Sequence, residues 1–232
     1  MLNMMRKLVG LFCVLTCGSI AIAQETNVDP KSEPQLPKVV LIGDSIRLGY
    51  APEVAKLLAG KATIVHAKAN GGDSANVLKN LAAWAIAEKP DIVHFNCGIH
   101  DTKKDRKSGS FQVPPESYEK NLRAIVEKIR QETGAKVIFA TTTPIIDDRA
   151  GPKRANATYE LLDASIVEYN RIASRVMQEL KVPVNDLRAV VGDGDERGKL
   201  MSSDGVHFTA EGTKKLATTV AEFVSKHLPK SE

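Results

Sequence analysis

Five short runs of apolar residues, at 39–43, 62–67, 91–97, 135–141 and 182–184, punctuate this chain. They are continuous rather than alternating, the pattern of strands covered on both faces. Between them lie stretches with helical spacing at about 51–59, 74–88, 115–133 and 158–180, and a last one at 209–228. In 115–133, Leu122, Ile125, Val126 and Ile129 recur at steps of three and four, while Glu119, Lys120, Glu127, Lys128 and Arg130 are left for solvent. Gly134 follows as a stop. Strand–helix alternation requires parallel pairing through right-handed crossovers, hence a three-layer α/β domain. The longest piece without a pattern, 144–157, is expected to be a loop that shapes a pocket, together with 101–114.

The first 23 residues read as a leader rather than as part of this domain. Arg6 and Lys7 give a basic start, the following stretch to Ile22 is mostly apolar, and Ala21-Ile22-Ala23 offers a cleavage signal. The apolar stretch is short of the roughly 20 residues a membrane span needs, so export is expected, with no stable membrane insertion of the mature chain. Residues 24–37, with Pro30, Pro34 and Pro37, read as a linker, and 38–232 as one domain. Removing the leader takes away Arg6 and Lys7 and lowers the formal net charge from +4 to +2. Basic and acidic residues are interspersed, which gives no footprint for nucleic acid. Of three cysteines only Cys97 lies outside the leader, so no internal disulfide can form; it is expected to be a buried structural thiol. Trp84, the single tryptophan, is expected in the core.

In an open parallel sheet, ligands bind beyond the carboxyl ends of the strands. That rule selects Gly43-Asp44-Ser45, Asn70-Gly71-Gly72-Asp73-Ser74, Gly98-Ile99-His100-Asp101 and Thr141-Thr142-Thr143-Pro144. Ser45 alone could be no more than a helix cap, a role open also to Asp44. Near the end of the chain, however, Asp204-Gly205-Val206-His207 offers a carboxylate that can hold an imidazole Nδ1–H. The imidazole Nε2 is then left to take a serine proton. Ser45, Asp204 and His207 are therefore the candidate catalytic residues. His94 and His66 are read as core or rim residues.

These blocks resemble those of the SGNH (GDSL-type) hydrolase superfamily. Gly43-Asp44-Ser45 is similar to its first block, Gly72-Asp73-Ser74 to its second, and Asp204-Gly205-Val206-His207 to its last. The order is kept from about Lys38 to Leu228. The resemblance implies a flavodoxin-like sandwich on a five-stranded parallel sheet, and ester hydrolysis with neither metal nor other cofactor. It makes Ser45 the nucleophile, His207 the base and Asp204 its orienting partner, with backbone N–H groups of Ser45 and Gly72 as oxyanion donors. One block departs from the pattern: His100 stands where the third block has asparagine. A neutral imidazole still donates through one N–H, so His100 is the expected third donor.

The expected function is thus a secreted or periplasmic serine esterase. Its expected partner is a small-molecule or carbohydrate ester with a short acyl group such as acetyl. Two other readings use the same residues. A non-catalytic binding protein on this scaffold draws support from His100. A metal-dependent hydrolase could use Asp44, His100, Asp101, Asp204 and His207, although no closely spaced ligand motif such as H-E-x-x-H is present.

Overall fold

A computed structural model describes residues 35–229. The expected leader (1–23) and all but the last three residues of the linker (24–37) lie outside the described residues. The elements run, in chain order, β1 (Lys38–Ile42), α1 (Ser45–Leu57), β2 (Thr63–His66), α2 (Ser74–Trp84), β3 (Ile92–Phe95), β4 (Lys104–Asp105), α3 (Pro115–Thr133) and β5 (Lys136–Ala140). There follow α4 (Asp147–Lys153), β6 (Tyr159–Glu160), α5 (Asp163–Glu179), β7 (Val184–Asn185), α6 (Leu187–Val191), α7 (Gly194–Leu200) and α8 (Ala210–Ser225). Five strands form one sheet in the order β2-β1-β3-β5-β7, every pair parallel.

The continuous apolar runs are explained by two separate cores. Val40, Ile42, Val93, Phe95, Val137 and Phe139 point to one face of the sheet, where α2, α3 and α5 cover them. Val39, Leu41, Ile92, Ile138 and Ala140 point to the other, beneath α1, α6 and α8. The central strands β1, β3 and β5 thus serve two layers, and His94 is the one polar side chain among their buried positions. Phe95 and Phe139 meet edge to face across the first core, with ring centroids 5.2 Å apart. From α3, Tyr118, Leu122, Ile125, Val126 and Ile129 are all buried. Each such side chain contributes about 1.5–3 kcal/mol through burial. Gly134 ends α3 with φ +70°, the left-handed stop that the sequence implied.

Several boundaries differ from expectation. The stretch expected to be helical from about 51 begins earlier, at Ser45, and Pro52 lies inside the helix. The Asp44 carboxylate caps that start by accepting from Ile46 N at 2.9 Å. Asp147–Lys153 forms a helix where a loop was expected. The expected helix at 158–180 starts only at Asp163, because Tyr159–Glu160 pairs antiparallel with Lys104–Asp105. The α6 and α7 helices were not anticipated at all. Trp84 is half-buried at the end of α2 and belongs to neither core. No helix among the described residues is long and apolar enough to cross a membrane.

Candidate active site

At the carboxyl end of β1 the chain turns straight into α1, so Ser45 is the first residue of a helix. Because Asp44 supplies the cap, the Ser45 hydroxyl is released from that duty. It lies 2.9 Å from His207 Nε2. The other imidazole nitrogen, Nδ1, lies 2.5 Å from Asp204 Oδ2. The three candidate residues, 162 positions apart at their extremes, are therefore joined in one hydrogen-bonded chain.

The local fold accounts for this meeting. Ahead of α8, the backbone makes a tight turn in which Ser202 N donates to His207 O and Gly205 N to Ser202 O. Gly205 has φ +72°, and a Cβ there would stand 2.5 Å from the Ile146 carbonyl oxygen. Only glycine fits this close approach. The Asp204 carboxylate closes the turn from within. Its Oδ1 accepts from Ser202 Oγ (2.6 Å), Val206 N (2.9 Å) and His207 N (2.9 Å). Burial opposes ionisation of Asp204. The hydrogen bonds from Ser202, the His207 ring and the two backbone N–H groups outweigh it and hold the carboxyl well below the usual carboxylate range. Asp204 is thus anionic whenever His207 needs a partner.

Beneath the serine lies a residue that sequence reasoning missed. The Arg47 guanidinium is buried and donates to the carbonyls of Gly43 (2.9 Å), Ala67 (2.6 Å) and Ala69 (2.7 Å), with His66 Nδ1 at 3.3 Å. It ties the Ser45 turn to the loop after β2. Gly71 completes the tie, its N–H donating to Gly43 O at 2.9 Å. The loop after β2 is thereby brought against the serine turn, with Asn70 and Gly72 on it.

The expected oxyanion donors are placed unequally. Ser45 N, at the start of α1, has no acceptor within the helix. Gly72 N–H is turned into its own loop and donates to Asn70 Oδ1 at 2.9 Å. His100 lines a cleft of about 130 Å³ shared with Ser45, Asn70 and His207. Burial, reinforced by the charge of Lys103, lowers the His100 pKa and keeps its ring neutral, with one N–H to donate. Asn70 was named in the sequence only as part of a glycine-rich tip. Its Oδ1 is held by Gly72, and its side chain faces the same cleft as Ser45. A second hollow of about 90 Å³ shares Ser45 and His207 and is walled by Ile46, Tyr50, Phe208 and Leu216. A hollow of about 820 Å³ lies elsewhere, against Asp147, Asp163 and Arg197, and none of Ser45, Asp204 and His207 lines it.

Other candidates are structural. His94 is fully buried, its Nε2 3.3 Å from the Asn185 amide, and burial pushes its pKa down to about 4. Burial pushes the Cys97 thiol up, away from reactivity. Asp101 does not pair with His100; both its oxygens accept from Ser74 N, at 2.9 and 3.1 Å. Among the described residues, no three His, Cys, Asp or Glu side chains stand where they could share a metal ion.

Comparison with known proteins agrees with this layout. The model of the GDSL-like lipase/acylhydrolase family matches residues 41–215, from the strand before Ser45 to the helix after His207. The chain belongs to that family. As a GDSL-family protein it is a carboxylic ester hydrolase. A curated relative, GDSL esterase/lipase CPRD49 of Arabidopsis thaliana, is 23% identical over 206 residues, covering 83% of this chain and 80% of the relative. Among solved structures, the lipase/acylhydrolase from Enterococcus faecalis superposes with a TM-score of 0.69. It is 24% identical and covers 85% of this chain and 100% of its own. The acetylxylan esterase Axe2 from Geobacillus stearothermophilus gives 0.64 at 21% identity, covering 81% and 94%. These likenesses establish a shared fold with the five-stranded parallel sheet at its centre.

Proposed function

We propose that this GDSL-family hydrolase is an exported serine esterase that removes short acyl groups, acetyl foremost, from a carbohydrate or other small ester. The observation that carries the reading is the continuous chain from Ser45 Oγ to His207 Nε2 and from His207 Nδ1 to Asp204. His207 takes the Ser45 proton as the hydroxyl oxygen attacks the ester carbonyl. Asp204 holds the ring's tautomer and stabilises the imidazolium that results. His207 then gives its proton to the departing alcohol, leaving an acyl-Ser45 ester. A water deprotonated by His207 hydrolyses that ester and regenerates the serine.

In this account the carbonyl oxygen becomes negative beside Ser45 N–H and the His100 ring. Gly72 N–H joins them by exchanging the Asn70 oxygen for the substrate's. Preorganised donors of this kind are each worth about 10²–10³ in turnover. Size favours a short acyl group. The two hollows touching Ser45 measure about 130 and 90 Å³, room for roughly three or four water molecules each. The acetylxylan esterase activity named for one structural neighbour is compatible with such a pocket. Export rests on Arg6, Lys7 and the apolar stretch ending at Ala21-Ile22-Ala23.

The test is a series of acetylated sugars and p-nitrophenyl esters of increasing acyl length, assayed with the wild type and Ser45→Ala. Activity that is greatest for acetyl and vanishes in Ser45→Ala is expected. Preference for long chains would refute the acyl assignment, and full activity in Ser45→Ala would refute the mechanism.

A further inference from the structure

One wall of the cleft carries two cations that take no part in the proton transfers of hydrolysis. That wall is the two-stranded ribbon of β4 and β6 with the end of α4, bringing together the segments 101–114 and 144–162. It presents Lys103, Arg154 and Tyr159 to the same 130 Å³ space as Ser45, His100 and His207. Lys103 Nζ lies 4.9 Å from the centre of the Tyr159 ring, a contact that orients the ammonium without neutralising it. Arg154 Nη1 is held by the backbone carbonyls of Asp204 (3.1 Å) and Ala150 (3.3 Å). The first of these bonds fixes its charge beside the turn that carries Asp204 and His207.

Neither cation has a carboxylate partner among the described residues, although carboxylates are close. Asp204 is saturated by its four donors. Asp73 accepts from Asn76 N and from Gln112 Nε2. Glu160, on the ribbon itself, pairs with Arg106 at 3.5 Å. Asp44 is buried behind the serine turn. Each of these four acids is thus either bonded to other donors or buried, and both half-buried cations line a cleft with no carboxylate in its walls.

We infer that Lys103 and Arg154 form a subsite for an anionic group, a carboxylate or a sulfate, carried by the alcohol part of the ester next to the scissile bond. The substrate class is then an O-acylated acidic sugar rather than a neutral one. This inference rests on the esterase reading above and narrows it. The cations sit on the His100 side of Ser45, whereas the apolar 90 Å³ hollow lies on the α1 and α8 side. The acyl methyl and the charged sugar therefore have separate places.

The experiment compares three substrates with the same acetyl group: the methyl glycosides of O-acetylglucose, O-acetylglucuronic acid and O-acetylglucose 6-sulfate. Each is assayed with wild type, Lys103→Met and Lys103→Arg. The wild type is expected to show kcat/KM roughly tenfold or more higher for a charged ester than for the neutral one. Whichever charged arm shows it identifies the anion. The ratio should fall toward one in Lys103→Met, be restored in Lys103→Arg, and shrink in the wild type as salt is raised. The salt series holds even if Lys103→Met does not fold. A wild-type ratio at or below one overturns the inference, and so does an equal loss on charged and neutral esters in Lys103→Met. Equal hydrolysis of all three would remove this inference and leave the esterase reading standing, while hydrolysis of none would remove both.

Discussion

Replacing Asp204 with asparagine separates what the carboxylate does for the fold from what it does for His207. In the wild type one oxygen, Oδ1, takes the Ser202 hydroxyl and the N–H groups of Val206 and His207, and the other faces His207 Nδ1 alone. An asparagine that keeps its oxygen in the first position retains three of the four hydrogen bonds and the turn with them. Its NH2 group then faces Nδ1 and donates, so the ring must carry its proton on Nε2. That nitrogen can no longer accept from Ser45 Oγ. The geometry survives with the wrong tautomer, a change that typically lowers turnover by about 10⁴, or roughly 5 kcal/mol of transition-state stabilisation. Loss of one charge-assisted hydrogen bond should cost the fold only about 1–3 kcal/mol. We expect Asp204→Asn to remain folded by circular dichroism while kcat/KM on a short acetyl ester falls by 10³ or more. A folded variant within tenfold of wild type would refute the role assigned to the carboxylate.

Three further outcomes follow from particular contacts. Arg47→Met strips the carbonyls of Gly43, Ala67 and Ala69 of their buried donor; urea unfolding should show a loss of about 3 kcal/mol or more, and a loss under 1 kcal/mol would contradict the tie. Burial raises the Asp101 carboxyl from 3.8 to about 7. The folded state therefore holds its proton more tightly than the unfolded chain, and stability from this group falls as pH rises from about 4 to 7. Between pH 5 and 8 the stability of Asp101→Asn relative to wild type should rise by about 2–3 kcal/mol; no relative change would show that the carboxyl is ionised throughout. His100→Asn supplies an amide donor for a neutral imidazole and should keep kcat within tenfold; a hundredfold loss would reveal a further role for the ring.

The parts of the molecule that could be read in advance are those set by local pattern. Val39 to Ile42 is apolar at every position because it faces two cores, and that continuity alone signals a central parallel strand. Asp204 and His207 are three residues apart in one turn, so their contact is nearly a local property. What could not be read depends on segments meeting in space. Arg47 belongs to a residue type that is rarely buried, and nothing near it in sequence announces the three carbonyls it binds, two of them 20 and 22 residues away. Apolar spacing places α1 only from about residue 51, whereas its start is set by the Asp44 cap, whose side chain accepts from Ile46 N. The short α6 and α7 helices, of 5 and 7 residues, are too brief for periodicity to register. Engagement of Gly72 N–H by Asn70 is likewise a feature of one turn's geometry, invisible in the string Asn70-Gly71-Gly72.

The central claim is that Ser45, activated through His207, becomes covalently acylated. Incubation with a fluorophosphonate probe followed by peptide mass mapping addresses it directly. The account predicts a single adduct on Ser45, slowed at least a hundredfold in His207→Ala and prevented by prior incubation with an acetyl ester in excess. Adducts at other serines with Ser45 unmodified, or labelling indifferent to His207, would contradict it.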